Sequence, residues 1–425
     1  MDLRDSHNSQ QTLFRSFLMG GFECSTHRLP SGRRLDVIDA TGHERHAESD
    51  YAALARQGIL TIRDGLRWHL IETRKGIYDF SSVRSMLQAS QAAGVQPIWD
   101  LLHYGWPDGL DVFSDEFVER FAYFAGAFVR FARQSTDEPL WVVPVNEISF
   151  LAWAGGEVGI FNPFEHGQGD RLKLQLVRAS IAAMSAMRAI DPATRFVHSD
   201  PMIHVVAHPE RPQDAPAAEA HRLAQYAAFD MIAGRHQPQL GGHEDYLDVI
   251  GLNYYIHNQW TYPGGHGATI EPSSSSYRPV SELLTDVYER YRRPMFIAET
   301  GIEDEARPVW LRYIAKEVRR ALRSGVPVHG LCWYPIANHP GWDDDRHCYN
   351  GLLDYPDADG QRAIYEPLAA EFARQRKLFA TLSDADGEAA GVEDPDALDE
   401  AAHWMEIRSG REDIFVKHGD AHDQP

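Results

Sequence analysis

The chain has 425 residues, 43% hydrophobic and 11% aromatic, which fills a large core and excludes a disordered, collagen-like or disulfide-stapled protein. Its 62 acidic side chains against 41 Lys and Arg leave a formal charge of −21. Such a balance argues against a polyanion-binding surface, so no nucleic-acid partner is expected.

In chain order, short runs rich in β-branched and aromatic residues read as buried parallel strands. They span 13–22, 59–68, 95–104, 140–147, 195–200, 247–255, 295–301 and 328–334. Segments with apolar residues at helical spacing lie between them, at 82–94, 115–134, 172–190, 217–234, 280–291 and 309–325. Ser114 before Asp115 suits a helix start, and Gly94, Gly234 and Gly325 suit helix ends. This alternation predicts an α/β protein, a single (β/α)8 barrel over residues 1–380. A doubly wound sheet would need a glycine-rich phosphate turn after its first strand, and GGFECS lacks the spacing. Residues 381–425 carry 13 acidic and 3 basic side chains and read as an acidic C-terminal tail, loosely attached or partly disordered.

Cys24, Cys332 and Cys348 form neither a disulfide framework nor a zinc spacing. The opening segment has no secretory pattern and no run reaches the ~20 apolar residues of a membrane span, so a cytoplasmic protein with no membrane contact is expected. The 21 histidines show no HExxH pattern, and Asp343–Asp345 reads as an exposed loop rather than a calcium site. No metal and no cofactor are expected. Homo-oligomerisation is left open.

In a barrel the chemistry lies at the carboxyl ends of the strands. The second run carries Arg63 and closes with Trp68, the third ends in His103 and Tyr104, and the fourth in Asn146 and Glu147. The sixth carries Asn253 and ends in Tyr255, the seventh carries Glu299, and the eighth ends in Trp333 and Tyr334. A glutamate closing an apolar strand is costly unless something pairs with it or uses it. Glu147 and Glu299 would project from opposite sides of the ring. Two facing carboxylates are the minimal apparatus of glycoside hydrolysis, one protonating the departing oxygen and the other attacking the anomeric carbon or activating water. Trp68, Tyr104, Trp106, Trp153, Tyr255, Trp260, Trp333 and Trp342 cluster near strand ends, where flat apolar sugar faces stack. The expected partner is a carbohydrate substrate.

These segments resemble glycoside hydrolase clan A, most closely the family 1 β-glycosidases, over roughly residues 14–356. FLMGG is similar to the family's FLWGA, RDGLRW to RFSISW, LHYGWP to YHWDLP and PVNEI to TxNEP. LDVIGLNYY is similar to LDFIGLNYY, PMFIAETG to PIYITENG, and GLCWYPIAN with GLLDY to the closing segments. The resemblance implies a retaining β-glycosidase with Glu147 as acid/base and Glu299 as nucleophile. Asn146 would bond the sugar 2-hydroxyl, and His103 would bind sugar. Arg63 and Tyr255 would hold Glu299 at a lowered pKa, with Glu147 higher, and the carboxyl groups would stand about 5–5.5 Å apart. Asn253, Trp333 and Trp342 would support or bind the substrate. Two sugar-gripping positions depart from the family. His27 occupies the column of a glutamine, and NHPGWDDD places Pro340 or Gly341 in that of a glutamate, for which Asp343 or Asp344 would substitute. The glycone is therefore open, with glucosidase-, mannosidase-, galactosidase- or glucanase-like activity, or a non-catalytic sugar-binding barrel, all compatible. Glu23, at the first strand's end, is either a further glycone contact or a rim charge.

Overall fold

All eight apolar runs contain a strand, most of them shorter than the run. The barrel strands are β1 (Leu18–Gly21), β2 (Thr61–Gly65), β3 (Gln96–Asp100), β4 (Trp141–Val143), β5 (Arg195–Pro201), β6 (Val249–Asn253), β7 (Met295–Thr300) and β8 (Val328–Trp333). In the computed structural model, which describes residues 13–264, 268–342 and 346–384, they pair in parallel and in chain order, and β8 closes on β1.

The helices are α1 (His43–Arg56), α2 (Ser81–Ala93), α3 (Asp115–Ala132), α4 (Gly169–Ile190), α5 (Ala215–Ala224), α6 (Ala227–Ile232), α7 (Val280–Tyr291), α8 (Arg307–Arg323) and α9 (Glu366–Asp384). The Ser114 hydroxyl accepts the Phe117 amide at the start of α3, and Gly94 takes the left-handed conformation that ends α2 (φ 68°). The segment 217–234 forms two helices rather than one, parted at Gln225, whose side chain bonds both the amide and the carbonyl of Ile203. Two helices outside the expected segments bury polar residues among their apolar ones. The covered face of α1 includes His43 and Asp50, and that of α9 includes Glu371 and Gln375. Helix α9 runs to Asp384, across the expected boundary at 380, and the remainder of the tail lies outside the described residues. No described helix is long and apolar enough to cross a membrane.

Strand alternation assigns the faces. Met19, Ile98, Trp141, Val143, Val197, Val249, Phe296, Ala298 and Cys332 form one buried cluster inside the ring. Phe14, before β1, closes its lower end against Trp141 and Phe296, with ring centroids 4.9 and 5.2 Å away. Arg63, Asp100, Ser199 and Asn253 lie two or four residues beyond inward-facing positions or share their register, so polar groups form the next layer up.

Outside the ring, α1 is tied to β2 through charge. His43 lies between Asp50 and Asp64, 2.8 Å from each, under the stacked ring of Phe22, and Arg362 adds a second cation to Asp50 at 2.7 Å. Burial opposes protonation of His43, but the two carboxylates outweigh it and raise its pKa from 6.5 to about 9. A pKa raised in the folded state stabilises fully below the unfolded value and loses that contribution as pH rises through about 9. His43→Gln should therefore cost roughly 3 kcal/mol in urea unfolding at pH 6. The gap from wild type should narrow by pH 10, and a gap independent of pH would contradict the assignment.

Candidate active site

The carboxyl ends of β3, β4 and β7 bring acceptors to Arg63 of β2, which is fully buried. One guanidinium nitrogen donates to Glu299 Oε1 at 2.8 Å and to the Ala298 carbonyl at 3.0 Å. The other donates to Asp100 Oδ2 at 2.6 Å and Asn146 Oδ1 at 2.9 Å. Strict alternation would turn Glu299 outward after Phe296 and Ala298. A register shift between Ile297 and Glu299 instead sets Glu299 beside Asn253, and Thr300 points out to accept the Trp310 indole N–H. Tyr255 donates to Glu299 Oε2 at 3.0 Å.

Glu147 is reached differently. β4 ends at Val143, and Glu147 adopts a left-handed conformation (φ 48°), its amide held by the Ser199 carbonyl. A non-glycine residue there stores roughly 1–3 kcal/mol, which the surrounding contacts must hold. The helical turn Ile148–Leu151 that follows is fixed by Asp200, which accepts both the amide and the hydroxyl of Ser149. The Glu147 carboxyl accepts from the Tyr104 hydroxyl and, at 2.8 Å, from Asn253 Nδ2. Asn146 is oriented by Arg63 and Ser199 on its oxygen, which turns its amide nitrogen toward His103 Nε2 at 3.1 Å. His103 Nδ1 lies 3.0 Å from Asp100.

The electrostatics separate the two glutamates. Burial, then the charge of Glu299, pushes Glu147 up to about 8, while the hydrogen bonds from Tyr104 and Asn253 oppose the shift. Glu299 is also raised by burial, against the downward pull of Arg63 and His103, and Glu23 adds to the rise. The expected lowering of Glu299 is thus overturned, since desolvation outweighs its cation. Asp100 and Glu23 raise His103 although burial lowers it.

The remaining expected residues divide. His27 is buried against Phe161, at 4.3 Å, and Trp342, at 5.6 Å, and burial lowers its pKa to about 3. Trp342 also packs on Tyr104 and Phe150, so His27 and Trp342 extend an aromatic wall from the tyrosine that touches Glu147. Neither His27 Nδ1 nor Trp342 Nε1 has a partner among the described residues. Pro340 pairs with His347 in a short hairpin, and the Gly341 amide bonds the Arg346 carbonyl. Asp343 and Asp344 lie outside the described residues. Trp333 is a correction: it is fully buried, its indole N–H is taken by the Asn350 carbonyl, and it packs toward Phe372 of α9. Alternation along β8 explains this. Cys332 faces the barrel interior, Trp333 the helix layer, and Tyr334 the site, with Arg63 over its ring at 5.2 Å. Trp68 is likewise withdrawn from the mouth, buried among Phe117, Phe121 and Phe124.

Sequence reading passed over Asp100 and Ser199 as site members, and placed Tyr104 and Tyr334 at strand ends without giving either a role on a carboxylate or on Arg63. Asp100 had a signal, as a carboxylate inside an apolar run two residues from an inward Ile98. Among the described residues one trio, Cys24, Asp100 and His103, is close enough to hold a metal ion. A cation there would face the guanidinium already 2.6 Å from Asp100, so the charge of the donor set does not suit one.

No protein-family model matches the chain. The β-galactosidase of Sulfolobus acidocaldarius is 32% identical across 34% of this chain and 36% of its own length. That of Saccharolobus solfataricus is 30% identical across 29% of this chain and 30% of its own. The chain thus matches about a third of the length of these relatives. A family 1 β-glucosidase from Thermotoga maritima superposes with a TM-score of 0.69 at 15% identity, covering 85% of this chain and 98% of that one. The same source's β-glucosidase has been solved with glucoimidazole. The AHE enzyme from Alicyclobacillus herbarius gives 0.68 at 19% identity, covering 80% and 88%. The fold is therefore that of the family 1 β-glucosidase barrel, and the chain resembles the family 1 β-glycosidases in architecture and in local sequence.

Tyr104→Phe removes a donor that favours ionised Glu147, so the Glu147 pKa should rise by roughly one unit above its value near 8. Carboxyl-selective infrared or NMR titration reads this directly. An unchanged or lower pKa would show that Tyr104 does not hold the carboxylate.

Proposed function

We propose that the protein is a retaining β-glycosidase acting on small glycosides or oligosaccharides in the cytoplasm, without a cofactor. The observation that carries this reading is the asymmetry of the two glutamates. Glu299 is 2.8 Å from a buried guanidinium, whereas Glu147 has only neutral donors and a pKa pushed up to about 8. At neutral pH Glu147 holds a proton and Glu299 is the better-stabilised anion. Glu299 attacks the anomeric carbon while Glu147 gives its proton to the departing oxygen. Forming the ester removes the Glu299 charge that raises Glu147, so the Glu147 pKa falls and it then accepts a proton from the attacking water. Arg63 and Tyr255 hold Glu299 in position, and Asn146, fixed by Arg63 and Ser199, offers its amide to the sugar beside the reacting carbon.

The relatives named β-galactosidase and β-glucosidase make gluco- and galacto-configured glycosides the first substrates to test. Wild type should hydrolyse at least one nitrophenyl β-glycoside. Glu299→Gly should lose at least about 10³-fold and recover with azide, giving a glycosyl azide of inverted configuration. Binding without turnover across a broad panel would favour a sugar-binding barrel instead.

Glu147→Ala should slow glycosides with poor leaving groups by roughly 10²–10⁴-fold and activated aryl glycosides much less in the glycosylation step. In wild type kcat/KM should fall as pH rises through about 8, and this alkaline limb should be absent from the variant. Equal losses on both leaving-group classes would count against Glu147 as the acid.

A further inference from the structure

Glu23 follows β1 at the mouth of the barrel and is 6% exposed. A buried carboxylate normally gathers several donors, because its two oxygens offer about four acceptor sites. Oε1 of Glu23 takes the Ser25 amide at 2.8 Å. His103 Nε2 stands 3.8 Å away, beyond hydrogen-bond reach, and faces the Asn146 amide instead. Among the described residues the second oxygen meets no donor and no arginine or lysine pairs with Glu23, although Arg63 pairs with Asp100 and Glu299 nearby.

The position is also informative. Glu23 acts electrostatically on Glu299, His103, Tyr255 and Tyr334, and also on Tyr104 beside Glu147. After Glu299, the carboxylate felt at Glu147 is Asp200. If Glu147 protonates the leaving oxygen, the aglycone departs on its side, and Glu23 flanks the retained sugar.

We propose that Glu23 is a specificity-determining residue whose open carboxylate oxygen accepts hydrogen bonds from ring hydroxyls of the glycone remote from the reacting carbon. The assignment rests on the hydrolase reading for its orientation.

The test compares wild type with Glu23→Gln and Glu23→Asp on the best nitrophenyl glycoside and its 3-, 4- and 6-deoxy analogues. Glu23→Gln preserves shape but weakens the acceptor, and Glu23→Asp keeps the charge but shortens the reach. Both should lower kcat/KM on the parent by about 10- to 100-fold. Each should cost less than about 3-fold on the one deoxy analogue that lacks the contacted hydroxyl. Equal losses on every analogue would assign Glu23 a structural part, and no loss would make it a rim charge; either overturns the proposal. A 2-amino or other amino-sugar glycoside preferred over the neutral parent, with that preference lost in Glu23→Gln, would also overturn it in favour of an ammonium. If wild type turns over nothing, the hydrolase reading fails. Calorimetric binding of the free sugars and their deoxy forms to the same variants then decides the hydroxyl contact by the same pattern.

Discussion

A buried guanidinium organises this molecule. Arg63 has no contact with bulk water, and an isolated charge there would cost several kcal/mol after relaxation. The cost is offset only because neighbouring strand ends deliver acceptors to it, from Asp100, Asn146, Glu299 and the Ala298 carbonyl. Removing any one leaves a charge or a lone pair unsatisfied in a low-dielectric interior. Barrel closure and site assembly are therefore one event: β2, β3, β4 and β7 must be in register for the arginine to be tolerated. The same cluster sets the inequality between the glutamates, since Arg63 reaches Glu299 while the donors to Glu147 are neutral.

The period-2 logic of the strands explains how much of this was legible beforehand. Polar residues closing apolar runs stand out in a sequence, and Arg63, His103, Asn146, Glu147, Asn253, Tyr255 and Glu299 do meet in one hydrogen-bonded cluster. The misplacements come where alternation had to be counted residue by residue. Trp333 and Tyr334 are neighbours in sequence but on opposite faces of the chain at the end of β8, and of the two Tyr334 alone faces the site. Conversely, Glu299 faces inward against simple alternation, because of the register shift beside it. No composition signal announces such a shift. Helix α1 was missed for a related reason, since its covered side interrupts the stripe of Ala47, Tyr51 and Leu54 with His43 and Asp50, which satisfy Asp64 and Arg362.

Two kinds of surroundings meet at the mouth of the barrel. Around Glu299 the neighbours are charged or hydrogen-bonded, so a substitution there disturbs Arg63. Around His27 the neighbours are Phe161 and Trp342, and burial keeps the imidazole neutral, so its changes are felt as shape and polarity. This separation accounts physically for a chain that resembles the family 1 β-glycosidases in its strand-end pattern while departing from that pattern at His27. Aromatic walls can be rebuilt without altering a charge, but an acceptor of Arg63 cannot be deleted without exposing one.

Glu23 breaks that separation. On the proposed reading it touches the glycone, yet its charge also acts on Glu299 and His103. A sugar hydroxyl that donates to Glu23 disperses part of its negative charge, and so eases ionisation of the neighbouring nucleophile when substrate is seated. Before a sugar binds, burial holds Glu299 above its ordinary range, with Glu23 reinforcing the rise. Binding of the correct sugar then does two things with one contact, selecting the ring and lowering the cost of the anion that attacks it. On the proposed reading, specificity and nucleophile activation are coupled at this residue through electrostatics.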